Sequence, residues 1–296
     1  MTSSHPAPLR PTGTVADVHV YEPHRAGLPK KIGPYFRELW ERREFASELS
    51  RSGIRAANTR TVFGQVWLVL NPLLLALVYY LLVNVLSGQS QGMDFFAHLT
   101  AGLFTFYFIS GCMGTGAASV VGGGRLLLNT AFPRLLLPLS SVRTAFYRFL
   151  PTLPVWLVFY LFADSRQFTW LTLLSLVFLA MIVVFSAGLA AIFATLQVYF
   201  RDTAAFLPYF IRIWLYLSPV ILTVDRLHAY AAKAGAEHLL YLNPLYSLLG
   251  GFTELLVGSR MPNWHMWVAA VSWTLIAAVA GAWYFMSRER DFAVRI

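Results

Sequence analysis

Charged residues and cysteine are both scarce in this chain of 296 residues. Aspartate, glutamate, lysine and arginine together make up 12% of it, against 57% hydrophobic residues. A soluble domain carries about 25% charged residues, so the composition argues against a water-soluble globular protein. The single cysteine, Cys112, cannot form a disulfide within the chain or a thiolate metal cluster. Its neighbours Gly111, Gly114 and Gly116 favour close packing between helices instead.

Sequence patterns for nucleotide or metal binding are also missing. The triple glycine at 122–124 leads into Arg125 rather than into the Lys-Ser/Thr of a P-loop. Residues 88–92 match the G-x-S-x-G nucleophile elbow, but no strand precedes them, so they favour a turn. The histidines lack metal-ligand spacing. We therefore expect no catalytic residue, no metal site and no cofactor in this chain.

Carboxylates are absent from the apolar segments. Asp94, Asp164, Asp202, Asp225 and Glu254 all lie at the ends of these segments or in the loops between them. Transporters driven by protons or sodium ions place acidic groups or broken helices near the middle of the membrane. The sequence therefore argues against a secondary transporter, and a driving force for transport would have to come from another protein.

The most prominent feature that is present is a set of six long apolar runs. Each is long enough to cross the hydrocarbon layer as a helix, which takes ~20 residues. They predict an all-α polytopic membrane protein with six transmembrane helices and no cleaved signal peptide. The runs lie near 66–86, 95–121, 139–163, 168–198, 204–224 and 264–286.

Basic residues concentrate on one side of these predicted helices. Of the 23 lysines and arginines, only Arg166, Arg226, Lys233 and Arg260 fall in the alternate loops. By the positive-inside rule, both termini are expected in the cytoplasm. The same distribution argues against nucleic acid as a partner, because no folded soluble module holds the positive charge.

The regions outside the runs divide into a tail, an amphipathic segment and a short C-terminus. Residues 1–34 are rich in Pro, Ser, Thr and Gly, which predicts a flexible cytoplasmic tail. The 35–60 segment has Trp40 on an apolar face, which predicts a helix lying flat at the membrane interface or an ordinary helix docked on protein. The six-helix domain is expected over 61–290, followed by a cytoplasmic C-terminus at 291–296.

Two connecting segments are apolar but too short to cross the membrane. The cytoplasmic segment 125–137 is broken at Pro133 and predicts a short amphipathic helix that contacts another protein. The external loop 225–262 contains an apolar piece at 239–257, interrupted by glycines and by an Asn-Pro pair. It predicts short re-entrant helices that enter the membrane partway.

Two arginines lie inside the predicted spans, Arg148 in the third and Arg212 in the fifth. A guanidinium group in lipid costs at least a few kcal/mol, so each should face protein, water or an anion. One interpretation is contact with a phosphate-bearing substrate, whose diphosphate oxygens suit the guanidinium fork. The alternatives are snorkelling of Arg148 to the headgroups and a helix–helix hydrogen bond for Arg212.

Aromatic residues make up 16% of the chain, and those deep in the first, second and fifth runs exceed what an interfacial belt requires. An aromatic-lined channel would suit sugar rings, whose C–H faces stack on aromatic faces. A belt or ordinary packing is the simpler explanation for any single residue. The channel candidates are Trp67, Tyr79, Phe104, Tyr107, Trp214 and Tyr216.

Five segments carry a resemblance to a known family. They are FGQVWLVLNPLLLALVYYLLV (63–83), AFPRLLLPLS (131–140), YFRD (199–202), IWLYLSP (213–219) and LNPLYSLL (242–249). In this order and spacing they resemble the membrane subunit of ABC transporters that export lipid-linked polysaccharides: the O-antigen, teichoic-acid and cell-wall galactan exporters. Arg212 departs from the pattern, since an uncharged residue is expected there.

The resemblance implies a homodimer in the bacterial plasma (inner) membrane, bound to two copies of a separate ABC ATPase that would use ATP and Mg²⁺. The substrate would be a polyprenyl-diphosphate-linked glycan moved from cytoplasm to exterior. The segment 125–137 would be the coupling helix that docks on the ATPase. The ATPase-contacting residues that the resemblance implies are Phe132, Pro133, Arg134, Arg201 and Asp202.

Three other functions are open at this point. The same architecture would also serve an ABC permease exporting a drug or a small lipid, which has little need for the aromatic residues. An intramembrane glycosyl- or acyltransferase would require paired acids or histidine near one membrane face, and the sequence offers none. A structural scaffold of a larger complex would transport nothing.

Overall fold

The computed structural model describes residues 32–57, 64–88, 91–124, 132–163 and 169–295. Within these ranges every regular element is helical, which confirms the prediction of an all-α protein. Short 3₁₀ turns at Gly64–Val66 and Glu289–Asp291 precede α3 and α13. The α-helices are α1 (Ile32–Glu41), α2 (Arg43–Ala57), α3 (Trp67–Ser87), α4 (Gly92–Gly122), α5 (Leu136–Phe149), α6 (Thr152–Leu161), α7 (Trp170–Tyr199), α8 (Thr203–Tyr216), α9 (Val224–Lys233), α10 (Glu237–Leu240), α11 (Pro244–Leu256), α12 (Trp264–Arg288) and α13 (Phe292–Arg295).

Four helical stretches in the described ranges are long and apolar enough to cross a membrane. Three are α3, α4 and α7, with 21, 31 and 30 residues. The fourth is α12 with the turns that continue it to Arg295. At 1.5 Å per residue, each reaches the ~30 Å thickness of the hydrocarbon layer. The chain is therefore a multi-pass membrane protein.

The third and fifth predicted runs differ from single spanning helices. The run at 139–163 divides into α5 and α6 at Pro151, which has no N–H to continue the helical hydrogen-bond ladder. The run at 204–224 holds only α8, whose 14 residues are about 21 Å long. This helix ends just before Ser218-Pro219, so it does not reach across the layer alone.

The second run, α4, is the central helix of the bundle, and one of its glycines makes the predicted close contact. A Cβ at Gly116 would lie 2.7 Å from the Cβ of Ala190 on α7, closer than real side chains approach. Gly114 and Gly122 differ, because a Cβ at either would meet nothing within 4 Å. The glycines on α4 therefore serve two purposes: close packing on one side and open space on another.

The crossing of α7 and α12 depends on a second pair of glycines. A Cβ built at Gly188 would overlap the backbone carbonyl of Ala277, and one built at Gly281 would overlap the carbonyl of Gly188. The two backbones thus touch directly, as helices do in membranes when small residues line their interface. The helices α7 and α12 form the most extensive helix–helix contact in the described part of the chain.

The N-terminal helices contact the bundle with one part and expose another. Ser50 of α2 is buried, and its hydroxyl lies 2.9 Å from the Thr144 hydroxyl of α5. On α1, by contrast, the side chains of Phe36 and Trp40 are 45% and 69% exposed. The segment predicted as one helix at 35–60 is therefore divided into a docked helix, α2, and a preceding helix with an exposed apolar edge.

Loops and termini gather at two ends of the bundle. We call one the terminal end: it carries α1, α2, residues 132–135, the α7–α8 turn and residues 288–295. The other, the distal end, carries the α3–α4 turn, α9, α10 and the two ends of the segment that joins α8 to α12, residues 217–223 and 257–263. Contacts hold each end together, such as that between Arg226 after α8 and Gln91 before α4.

The apolar piece at 239–257 in the distal connection forms α11. Asn243 caps this helix, since its side chain accepts a hydrogen bond from the Leu245 backbone N–H at 3.1 Å, and Pro244 occupies its first turn. The glycine pair at 250–251 does not interrupt the helix. Gly251 instead lets α11 approach the ring of Phe178, which fills the space that a Cβ would need.

Candidate functional site

A cavity of about 770 Å³ lies between α3, α4, α5 and α8, and we call it the aromatic cavity. Its size falls within the range of small-ligand sites, ~300–1,000 Å³. Five of the six aromatic candidates line it: Trp67, Tyr79, Phe104, Tyr107 and Tyr216. They come from three helices that are far apart in sequence, so the fold brings together what the sequence offered as separate residues.

Trp214, the sixth candidate, lies outside the cavity. Its indole N–H donates a hydrogen bond to the Asn243 side chain at 2.9 Å, and its ring packs against Phe210 with centroids 5.1 Å apart. Asn243 in turn donates to the Leu217 carbonyl at 2.7 Å. Trp214 therefore links the end of α8 to the start of α11 and positions both helices.

Both arginine candidates line the aromatic cavity, and none of the described residues around it carries a carboxylate. The Nε atom of Arg148 is buried and has no hydrogen-bond partner in the described part of the chain. A buried donor left unsatisfied costs about 1–3 kcal/mol. Arg212 is exposed, and its charge acts on the hydroxyl groups of Tyr79 and Tyr107. Two uncompensated guanidinium groups beside aromatic rings make this cavity suited to an anion with an attached ring system.

A second cavity, of about 560 Å³, connects this site to the terminal end, and we call it the interface-helix cavity. Leu49 and Gly53 of α2 line it, and it shares Thr115 and Arg148 with the aromatic cavity. The open face of α4 at Gly122 forms part of its wall. Arg148 therefore stands between α2 and the aromatic cavity, where a ligand arriving along α2 would meet it.

Of the two residues that the cavities share, sequence reasoning identified Arg148 and missed Thr115. Thr115 is an ordinary small residue of an apolar run, and the sequence gives it no distinction. The glycines offered a signal, because Gly111, Gly114 and Gly122 are three, eight and eleven residues apart and so share one face of a helix. The same spacing is also typical of close helix packing, and the sequence analysis interpreted these glycines in that way.

Phe132, Pro133 and Arg134, proposed to contact an ATPase, are held against other parts of the same chain. The Phe132 ring lies 5.3 Å from that of Phe45 on α2, and Pro133 is buried. The Arg134 guanidinium donates a hydrogen bond to the backbone carbonyl of Glu289. Of the segment 125–137, residues 125–131 lie outside the described residues, and residues 136 and 137 belong to α5.

Arg201 and Asp202 are exposed in the turn between α7 and α8. Next to them, the Tyr199 hydroxyl donates a hydrogen bond to the Asp291 carboxylate at 2.8 Å. The Arg295 guanidinium lies 4.3 Å from the centre of the Tyr199 ring, a cation–π distance. The C-terminal residues therefore border this turn as well as the 132–134 segment.

The carboxylate of Glu289 also ties α1 to this end, since it accepts a hydrogen bond from the Tyr35 hydroxyl at 2.7 Å. Residues 288–295 thus contact α1, the 132–134 segment and Tyr199. These contacts join the terminal end into one connected surface.

Curated relatives cover nearly the whole chain, although no protein-family model matches it. The chain is 28% identical to the O-antigen export system permease protein RfbA of Myxococcus xanthus, over 88% of this chain and 98% of that protein. Two proteins of the same name from Klebsiella pneumoniae are 26% and 24% identical, over 70% and 83% of this chain and 78% and 92% of their own lengths. These similarities confirm the resemblance carried by the five segments: over most of its length, the chain is similar to permease proteins of O-antigen export systems.

Proposed function

We propose that this chain is the transmembrane subunit of an ATP-driven exporter that moves a polyprenyl-diphosphate-linked polysaccharide from the cytoplasm to the exterior. The glycan would be of O-antigen, teichoic-acid or galactan type, and the relatives are named as permeases of O-antigen export systems. One observation carries the proposal: Arg148, Arg212 and five aromatic side chains line one cavity without a compensating carboxylate among the described residues.

The two arginines supply the part of the site that would bind the diphosphate. Guanidinium groups bind phosphate oxygens through two parallel hydrogen bonds, which are stronger than bonds between neutral groups. An anion at Arg148 would satisfy the buried Nε that has no partner within the described chain. Because this arginine also lines the interface-helix cavity, the lipid diphosphate would enter laterally past α2.

The aromatic side chains supply the part that would bind the glycan. Sugar rings stack on aromatic faces, and each such contact is worth about 0.5–1.5 kcal/mol beyond the buried area. Tyr79 and Tyr216 approach each other edge to face, with ring centroids 6.4 Å apart. On α8, Phe206, Tyr209 and Ile213 are exposed in the single chain, and a second copy in a homodimer would cover them and close the cavity.

The driving force would come from two copies of an ABC ATPase docked at the terminal end, which is cytoplasmic in this proposal. This orientation in the plasma membrane follows from the positive-inside rule, because most of the basic residues lie on the side of the terminal end. α5 with α6 would then count as one broken crossing and α8 as a short one, giving six crossings with both termini inside. Phe36 and Trp40 of α1 would enter the cytoplasmic face of the bilayer.

The aromatic cavity can be tested by replacing two of its tyrosines in the producing bacterium. With Tyr79→Leu and Tyr216→Leu together, we expect export to fall about 30-fold, because two ring contacts of ~1 kcal/mol each are lost. Surface polysaccharide and the lipid-linked precursor left in the membrane are both measured. Trp283→Leu is the control, since Trp283 is 56% exposed on α12 and lines none of the cavities described above. Unchanged export in the double variant would favour a transporter of drugs or small lipids.

The docking surface can be tested through Arg134. Replacing it with alanine removes the contact to Glu289 at the terminal end. We expect ATP hydrolysis by the complex to continue while export per ATP falls, because the 132–134 segment is no longer held against the C-terminal residues. Arg51→Ala is the control, since Arg51 is exposed and, among the described residues, pairs with Glu48 on its own helix. The assignment would be contradicted if export and hydrolysis fell in parallel, or if neither of them fell.

A further inference from the structure

A third cavity, of about 500 Å³, lies at the distal end, and we call it the distal cavity. Its walls come from three separate segments: residues 91–98 at the start of α4, residues 223–226 at the start of α9, and residues 253–260 at the end of α11. The Arg226 guanidinium crosses it to donate a hydrogen bond to the Gln91 side chain, and Arg260 donates to the Asp225 carboxylate at 3.0 Å. The cavity is therefore held together by polar contacts between segments that are distant in sequence.

A buried histidine in its wall has an unused hydrogen-bonding atom. The side chain of His98 is 9% exposed, and its Nε2 atom has no hydrogen-bond partner in the described part of the chain. The backbone carbonyl of Pro219 lies beside the imidazole, and this accounts for the other ring nitrogen. A buried imidazole nitrogen without a partner costs free energy, so a ligand that hydrogen-bonds to it would be favoured.

The charges around the distal cavity nearly balance, in contrast to those of the aromatic cavity. Three carboxylates, of Asp94, Asp225 and Glu254, face two guanidinium groups, of Arg226 and Arg260. Burial, together with the neighbouring Asp225, raises the pKa of Glu254 to about 7 against the opposing charge of Arg260. A phosphate would gain little in such a setting, and no group of three potential ligands in the described residues could hold a metal ion.

Neutral ligands with many hydroxyl groups fit this arrangement best. Each sugar hydroxyl both donates and accepts a hydrogen bond, and the cavity offers carboxylate and imidazole acceptors next to guanidinium donors. Hydrogen bonds to these charged groups are stronger than those between neutral groups. The ligand class that the chemistry selects is therefore a carbohydrate rather than an ion.

Its position along α4 places the distal cavity in sequence with the other two. Thr115 lies where the interface-helix and aromatic cavities meet, Phe104 lies in the aromatic cavity, and His98 lies in the distal one. His98 and Phe104 are about 9 Å apart along the helix axis. A glycan that moves from the terminal end to the distal end would meet the arginines first, then the rings, and then this polar site.

We propose that the distal cavity is a carbohydrate subsite at the exit, which binds the hydroxyl groups of a sugar residue after it has left the aromatic cavity. This inference rests on the proposed function, because it takes the glycan as the cargo. His98 accepts from a sugar hydroxyl, Arg226 donates to another, and Glu254 and Asp225 accept from the remainder. Such a site holds the emerging chain and disfavours its return.

The test uses the full chain in lipid nanodiscs and oligosaccharides released by hydrolysis from the producing bacterium's own surface polysaccharide. Binding is measured by saturation-transfer NMR and by calorimetry. We expect Arg226→Met and His98→Phe each to weaken binding at least 10-fold, and His98→Gln, which restores an acceptor, to recover most of it. Lys233→Met is the matched control, since it removes a positive charge from α9 without touching the cavity. Thermal unfolding of each variant identifies any that is misfolded. If His98→Phe is misfolded, the binding measured for His98→Gln decides whether an acceptor at position 98 is needed.

Several results would overturn the inference. One is a wild-type chain that binds no oligosaccharide, and another is binding that Arg226→Met and His98→Phe leave unchanged. Competition by inorganic diphosphate that persists when Arg148 and Arg212 are both replaced by methionine would identify the distal cavity as an anion site instead. The proposed function is tested separately, by deleting the chain. If surface polysaccharide stays intact after the deletion, the proposed function is wrong, whatever the binding measurements give.

Discussion

Replacing Arg148 and Arg212 together with methionine should lower polysaccharide export about 100-fold or more and leave the chain folded. Each guanidinium group in the aromatic cavity would form charge-assisted hydrogen bonds worth about 1.5–3 kcal/mol to a diphosphate. The loss of two such groups corresponds to a factor of at least ~100 in binding. Methionine is chosen because it keeps the length and apolar stem of the side chain.

The effect on stability separates this role from a structural one. Arg148 has a buried Nε atom without a partner in the described chain, so its removal relieves an unsatisfied donor. Exchange of a buried charge for an apolar group of similar volume is often neutral or stabilising. We therefore expect the Arg148→Met chain to unfold at the same temperature as wild type or above it, while its export falls. An arginine retained for helix–helix packing would give the opposite result for stability.

Binding and transport are both measured for this prediction. The binding probe is undecaprenyl diphosphate added to nanodiscs that contain the full chain, compared with the uncharged polyprenol. Arg143→Met is the matched control on the same helix, because Arg143 donates to Tyr147 and lines none of the three cavities described above. Equal losses in the control, or full binding of the diphosphate by the double variant, would contradict the assignment.

Hydropathy was sufficient to predict the long helices but not their breaks. α3, α4, α7 and α12 follow from runs rich in Leu, Val and Phe, which have no alternative to burial or lipid contact. Pro151 is itself apolar, so it extends a hydrophobic run while it removes a helical hydrogen bond. For the same reason the run at 204–224 continued through Pro219, where α8 has already ended.

The chemistry of the aromatic cavity could be predicted from the sequence, but the residues that line it could be predicted only in part. Residue type suggested which side chains suit a glycan, but the partner of each depends on the tertiary fold. Trp214 bonds to Asn243, 29 residues further along the chain, and local sequence contains no signal of that pairing. The distal cavity was missed for the same reason, because residues from three segments have to be placed in space before their charges balance.

Glycine is the residue type for which sequence and structure differ most. Gly114, Gly116, Gly188 and Gly281 all lie in apolar helices, where the sequence suggests the same small-residue packing for each. In the structure, Gly114 opens to a cavity, whereas the other three touch a neighbouring helix. Identical substitutions at these positions should therefore have opposite consequences.

Changing Gly188 or Gly281 to alanine should lower the stability of the bundle by at least ~1–3 kcal/mol, the typical effect of overpacking a close-packed interior. The added Cβ meets a backbone carbonyl at either position, so no rotation of a side chain can relieve the overlap. α7 and α12 would have to separate along their whole crossing. Folded protein recovered from the membrane and the unfolding temperature in detergent are the measurements.

Gly114→Ala and Gly122→Ala are the matched controls, since they add the same methyl group to the α4 face that is open. Alanine is favoured over glycine in a helix by about 0.8–1.0 kcal/mol, so these variants should unfold at the same temperature as wild type or slightly above it. A Gly188→Ala chain as stable as Gly114→Ala would mean that the two helices do not cross with their backbones in contact.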